Sequence, residues 1–190
     1  MTRYVQQYIQ DQKAALESIP AEKVAELIAL FKNALNEDRQ VFAFGNGGSG
    51  TNASHFITDL GKSASDKAFR RFRCFSLSDN VSWITAIGND YAYEDVFLRQ
   101  LQNYARAGDI VLVMSVSGNS PNIVKAVEWC RQQGVKTIAL IGGNGGKLAE
   151  IADVIIAVDS AHYGRVEDCH MHICHMICYA FIEVESLQQP

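Results

Sequence analysis

The spacing of apolar positions changes character near residue 38. Before it, Val24, Leu27, Ile28, Phe31 and Leu35 recur at intervals that match one face of an α-helix. Residues 1–37 therefore read as two helices separated at Ile19-Pro20, with the proline suited to a first helical turn. Beyond Asp38-Arg39 the apolar residues gather into short runs: Gln40 to Phe44, Arg73 to Leu77, Ile110 to Ser115, Thr137 to Ile141 and Val154 to Val158. Runs of this length predict strands. Helical stretches such as Ser120 to Gln133 lie between most of them, and that alternation predicts a parallel sheet with helices on both faces. Val166 to Leu187 lacks Gly and Pro and reads as a C-terminal helix. With no linker, low-complexity tract or domain-sized repeat, the chain is expected to form one domain, 1–190. Within it, 1–37 is a helical extension and 38–190 an α/β core.

Two of the strand ends run into turns suited to an anion. The first is Phe44-Gly45-Asn46-Gly47-Gly48-Ser49-Gly50-Thr51, ahead of a predicted helix from Asn52 to Leu60. Glycines let the backbone approach an anion, and a helix start offers free N–H groups. The spacing Gly45-x-Gly47-x-x-Gly50 also matches the dinucleotide fingerprint, but the acid expected about 20 residues on is missing. The next strand end, Ser76-Leu77-Ser78-Asp79, comes too late to supply it. The second turn is Met114-Ser115-Val116-Ser117-Gly118-Asn119-Ser120-Pro121, where Ser120 can cap the following helix. Three serines around one glycine exceed what capping requires and suit a phosphate monoester. In an open α/β sheet, ligands sit beyond the carboxyl ends of the strands.

Composition narrows the class. At 190 residues and 48% hydrophobic, the chain can bury a full core. A net charge of −4 argues against a general nucleic-acid binder, and no apolar run is long enough to span a membrane. The N-terminus lacks the apolar core of a signal peptide. Five cysteines, an odd count, are expected as free thiols in a cytoplasm.

Residue spacing suggests where chemistry could lie. His55 and Asp59 are four apart on the helix after the first turn, and so share a face. Glu167 and His175 are eight apart on the last helix, a little over two turns, and lie roughly on one face as well. Together they form a donor set suited to zinc. His170, Cys174 and Cys178 offer a second, softer set at helical spacing, although small cysteines in a packed helix are the plainer reading. Lys62, Lys67, Arg70, Arg71 and Arg73 form either a solvated loop or a rim that steers an anion. Trp83 and Trp129 read as core or interface side chains.

Taken in order, Gly45-Asn46-Gly47-Gly48-Ser49, His55-Phe56, Thr85-Ala86-Ile87-Gly88-Asn89-Asp90 and Ser115-Val116-Ser117-Gly118-Asn119-Ser120 resemble the phosphoheptose isomerases. These are sugar isomerase (SIS) domain enzymes that interconvert sedoheptulose 7-phosphate and D-glycero-D-manno-heptose 7-phosphate. The resemblance covers nearly the whole chain. It implies a three-layer, flavodoxin-like fold with a five-stranded parallel sheet, and a homotetramer with sites between subunits. It implies zinc on His55, Asp59, Glu167 and His175, with Asp59 as base and His175 as its acid partner in an enediol route. It places the sugar phosphate on Asn46, Gly47, Ser49, Asn80, Ser115, Ser117 and Ser120, and implies a role in surface-glycan heptose synthesis. The chain departs from the pattern at four positions. Asp59 stands for a Glu, Glu167 for a Gln, Asn80 for an Asp, and Gly164 for an acidic residue. These departures keep open a non-catalytic SIS module that binds a phosphosugar or a protein. A nucleotide-binding oxidoreductase is the third reading, disfavoured by the missing acid and the serine-rich second turn.

Overall fold

The computed structural model describes residues 1–143 and 145–190. Two helices, α1 (Thr2–Glu17) and α2 (Ala21–Asn36), precede the first strand, β1 (Gln40–Gly45). Then come α3 (Gly47–Thr58), a π-helical turn (Asp59–Ala64), the short α4 (Ser65–Lys67) and β2 (Arg73–Ser76). Between β2 and β3 (Ile110–Ser115) lie α5 (Val81–Asp90), a single 3-10 turn (Tyr93–Asp95) and α6 (Leu98–Tyr104). The chain closes with α7 (Pro121–Gln132), β4 (Lys136–Gly142), α8 (Leu148–Ile151), β5 (Val154–Val158), α9 (Tyr163–Glu183) and α10 (Glu185–Gln188).

All five strands are parallel, in the order β2-β1-β3-β4-β5. Alternate strand residues face opposite sides, so each strand feeds two cores. Val41, Ala43, Leu112 and Met114 pack with Leu27, Phe31, Phe56, Ile173 and Phe181 beneath α2, α3 and α9. Phe42, Phe44, Val111 and Val113 pack with Ile87, Leu101, Ile123 and Val127 beneath α5, α6 and α7. The three-layer α/β architecture is the one expected. Trp83 and Trp129 pack at the margin of the second core.

Three element boundaries differ from expectation. Helix α3 starts at Gly47 rather than Asn52, despite a glycine cost of about 1 kcal/mol each in a helix. Ser49, Gly50, Ala53 and Phe56 are buried there, so packing overrides propensity. The helix also widens into its π turn at Asp59, which no local pattern announces. Helix α9 starts at Tyr163 because the His162 side chain accepts from the Arg165 N–H, and it stops at Glu183 because Val184 is extended.

The five cysteines are free. Burial pushes the Cys74 thiol up to about 11 and Cys130 up to about 12, and drives Cys174 and Cys178 further in the same direction. Thiols held protonated in this way are poor nucleophiles and poor metal ligands. No helix among the described residues is long and apolar enough to cross a membrane.

Candidate functional site

Because β1 and β3 are neighbours at the centre of the sheet, the chain leaves their carboxyl ends in opposite directions and opens a crevice there. A cavity of about 70 Å³ lies in it, lined by Asn46 and Ser49 from the first turn and by Ser115, Ser117 and Ser120 from the second. Glu167 of α9 also lines it, and no lysine or arginine does among the described residues.

The hydroxyls are available as donors. Ser115 Oγ accepts from the Gly118 N–H at 3.2 Å and Ser117 Oγ accepts from the Asn119 N–H at 3.3 Å, which leaves both O–H protons free. Ser120 occupies the N-cap position of α7, yet its side chain makes no cap bond, so the expected capping role is replaced by a free hydroxyl. The loop is braced from behind. Gly118 has φ +64°, and a Cβ there would lie 2.0 Å from the Gly145 carbonyl oxygen. Gly118→Ala is therefore expected to cost about 3 kcal/mol, from left-handed strain plus a backbone clash. Chemical denaturation measures it, and an unchanged midpoint would show that the loop is not held closed.

Glu167 is tied to the start of α3. Its backbone carbonyl accepts from Asn52 Nδ2 at 2.8 Å, and its carboxylate accepts from Ser49 Oγ at 3.5 Å. A Cβ on Gly48 would lie 2.5–2.7 Å from that carboxyl group, so a larger residue there would push Glu167 out of its present place. A helix start favours an anion, and here the protein supplies its own. The pyrophosphate of a dinucleotide would need that place, which adds to the case against the nucleotide reading.

Farther along α9 a second group forms. Asp59 Oδ2 lies 3.4 Å from His55 Nε2 and 3.5 Å from His175 Nε2, and the two imidazoles meet edge to face at 5.1 Å. His55, Asp59 and His175 offer ligand atoms within 4.8 Å of one another, a set that could hold a metal ion. Asp59 sits where α3 gives way to the π turn. Side-chain exposures of 52% for His55 and 41% for His175 leave the group open on one side.

Glu167 does not join this group within one chain. Sharing a helix face fixes an angle but not a height, and eight residues of rise separate Glu167 from His175 by about 12 Å. Asn80 departs from expectation too. Its Oδ1 caps α5 by accepting from the Trp83 N–H at 3.0 Å, and it does not line the serine cavity. Its neighbour Asp79 is engaged by Ser54 Oγ. Gly47 lines an adjoining cavity of about 290 Å³ together with Asn46.

His170, Cys174 and Cys178 form no donor cluster among the described residues. Cys178 Sγ donates to the Phe56 carbonyl at 3.8 Å, Cys174 and Cys178 belong to the core, and His170 is fully buried away from solvent. In the basic loop, Arg70 and Arg73 face Asp38 and Arg71 pairs with Asp66 at 2.8 Å. All three pairs lie on the surface, as the solvated-loop reading expects.

Sequence reasoning missed Asn122, in the first turn of α7. Its buried amide exchanges two hydrogen bonds with Asn46, each of 2.9 Å. A polar residue at a helix start reads as solvated; the only hint is its position directly after the serine loop.

A serine-lined crevice at the β1/β3 switch point of such a sheet defines a SIS domain, and the chain belongs to that family: the SIS domain model matches residues 4–142. Among the curated relatives are the phosphoheptose isomerases. That of Geotalea daltonii is 36% identical over 182 residues, covering 94% of this chain and 94% of the relative. That of Sulfurimonas denitrificans is 39% identical over 159 residues, covering 83% and 78%. The solved phosphoheptose isomerase of Neisseria gonorrhoeae superposes with a TM-score of 0.88 at 30% identity, covering 96% of this chain and 99% of that one. That of Francisella tularensis gives 0.89 at 28% identity, covering 96% and 98%.

Proposed function

We propose that the chain is an aldose–ketose isomerase that interconverts sedoheptulose 7-phosphate and D-glycero-D-manno-heptose 7-phosphate. The observation that carries this reading is the placement, along one helix, of a hydroxyl-lined anion cavity beside Glu167 and an acid–base group at His175. In this mechanism Ser115, Ser117 and Ser120 hold the phosphate by hydroxyl donation. Asp59 takes the proton from the carbon beside the carbonyl while His175 gives one to the carbonyl oxygen, which leaves an enediol. Reversing the two transfers at the neighbouring carbon and oxygen completes the exchange with no net proton change.

The His55, Asp59 and His175 donors fit zinc, which takes three protein ligands and keeps a fourth position open. When bound, zinc would polarise the reacting oxygens in place of the His175 proton, because a ring nitrogen that ligates the metal carries none to give. Asp59 Oδ2 faces both imidazoles, and the carboxylate retains Oδ1.

The rise along α9 supports an assembly in which the His-Asp-His group of one subunit faces the serine cavity of another. Exposed apolar side chains lie near both ends of that helix: Met176 and Tyr179 beside His175, and Tyr4, Val5 and Ile9 on α1. Resemblance to the family makes that assembly a homotetramer, with an expected sedimentation mass four times the 21.0 kDa of the chain. A mass of one chain at micromolar concentration would rule it out. Five free thiols suit a cytoplasmic site of action.

The test is incubation of purified protein with sedoheptulose 7-phosphate, with the aldose followed by NMR. No aldose, with binding retained, would leave a phosphosugar-binding module, the alternative favoured by Asn80 serving as a cap. Ser117→Ala is expected to weaken sugar-phosphate binding about tenfold, the worth of one hydrogen bond to an anion. Ser117 is exposed, so thermal stability should hardly change.

A further inference from the structure

We propose that Asn122 is a positioning residue that fixes the amide of Asn46, so that Asn46 presents a single N–H donor to the ligand of the serine cavity. This rests on the sugar-phosphate reading of that cavity. The argument is a count of hydrogen-bonding capacity. Asn46 Oδ1 accepts from Asn122 Nδ2 at 2.9 Å and from the Tyr93 hydroxyl at 3.1 Å. A carbonyl oxygen has two lone pairs, so this one is saturated. Asn46 Nδ2 donates to Asn122 Oδ1 at 2.9 Å, and an amide nitrogen carries two protons, so one N–H remains.

Asn46 borders both the serine cavity and the adjoining one, which Tyr93 also lines. The amide group open to a ligand there is therefore a donor. A reversed amide would turn lone pairs toward a phosphate, which only accepts, and repel it. Turning both amides over would keep the pair's two bonds, so Asn122, 2% exposed in the first turn of α7, holds the plane of the Asn46 amide, while the Tyr93 hydroxyl, donating to Asn46 Oδ1, sets which end faces the ligand. One turn on, Lys125 pairs with Asp95 at 2.8 Å, which ties the Tyr93–Asp95 turn to the same helix. Since Asn46 follows β1 and Asn122 follows β3, the amide pair bridges the switch point itself.

A double-mutant cycle on the full chain tests this, read by calorimetric titration with sedoheptulose 7-phosphate and by thermal melting. Asn122→Ala is expected to weaken binding about tenfold when Asn46 is present, and by less than about twofold in the Asn46→Ala background. In turnover the change should appear in KM more than in kcat. Tyr93→Phe removes only a hydroxyl from an exposed ring and should weaken binding about threefold with no change in melting. A purely structural tie between two loops predicts otherwise: a lowered melting temperature in both backgrounds and an unchanged affinity, and that result overturns the proposal. Equal weakening by Asn122→Ala in both backgrounds also overturns it. Should Asn122→Ala fail to fold, unchanged affinity in Tyr93→Phe decides against it. Ser117→Ala and Ser120→Ala separate the two levels. If neither weakens binding, the serine-cavity reading falls and the proposal with it; if they do and Asn122→Ala does not, only the positioning role falls.

Discussion

Asp59→Asn is expected to lower isomerase turnover by roughly 10²–10⁴-fold, the usual worth of a positioned general base, with the fold intact. The amide keeps the shape of the carboxylate and can still meet an imidazole, but it cannot take a carbon-bound proton. His175→Gln is expected to lose a similar factor, because the acid partner is removed while a polar group of comparable length stays on α9. The NMR assay with sedoheptulose 7-phosphate reads turnover, and circular dichroism reads the fold. Asp59 is one methylene shorter than the glutamate that the resemblance leads one to expect. It sits at the mouth of the π turn, 3.4 and 3.5 Å from two imidazoles. Asp59→Glu therefore tests reach. Full activity in both Asp59→Asn and His175→Gln would remove the catalytic assignment and leave a metal or structural cluster.

Replacing His170 should change how stability responds to acid. The ring is fully buried, and neither nitrogen finds a good hydrogen-bond partner among the described residues; the Ile141 backbone gives only weak compensation. Burial pushes His170 from its ordinary 6.5 down to about 4. Between those values the unfolded chain binds a proton that the folded chain refuses. Its contribution is thus fully present above 6.5 and is lost as the pH falls toward 4. The difference amounts to about 3 kcal/mol. His170→Leu is expected to lose about that much less stability than the parent between pH 7 and pH 4, measured by urea unfolding at each pH. Carboxylates common to both proteins cancel in the comparison. Parallel pH profiles would show that the imidazole is solvated or paired in the folded state.

What can be read from the sequence follows from which physical signals are local. β3 and β5 are legible to the residue because each is an unbroken apolar run, although only β3 is buried throughout and β5 lies at the sheet edge with Ala157 exposed. The serine loop is legible because its hydroxyls are adjacent in sequence. The start of α3 is not, since the glycine-rich run from Gly45 to Gly50 reads as a loop and only packing against the sheet makes most of it helical. His55 and Asp59 are legible as neighbours through their one-turn spacing, and His175 reaches them through tertiary folding that spacing does not encode. Angle alone groups Glu167 with them; the rise of the helix separates it. Resemblance assigns Asn80 to the sugar phosphate, but a local cap bond to Trp83 uses its side chain.

The all-parallel sheet has a consequence for how the chain is made. It contains no hairpin, so no strand finds a partner in the residues that immediately follow it. β1, an interior strand, is complete when Gly45 is synthesised, yet its second neighbour is complete only at Ser115. At about 5–20 residues per second that interval lasts roughly 4–14 s. Throughout it Val41, Phe42, Ala43 and Phe44, all fully buried in the finished protein, have no sheet to enter on that side. The yield of soluble protein should therefore depend on translation speed and on holdase chaperones that cover this segment on the nascent chain, even where the finished fold is stable.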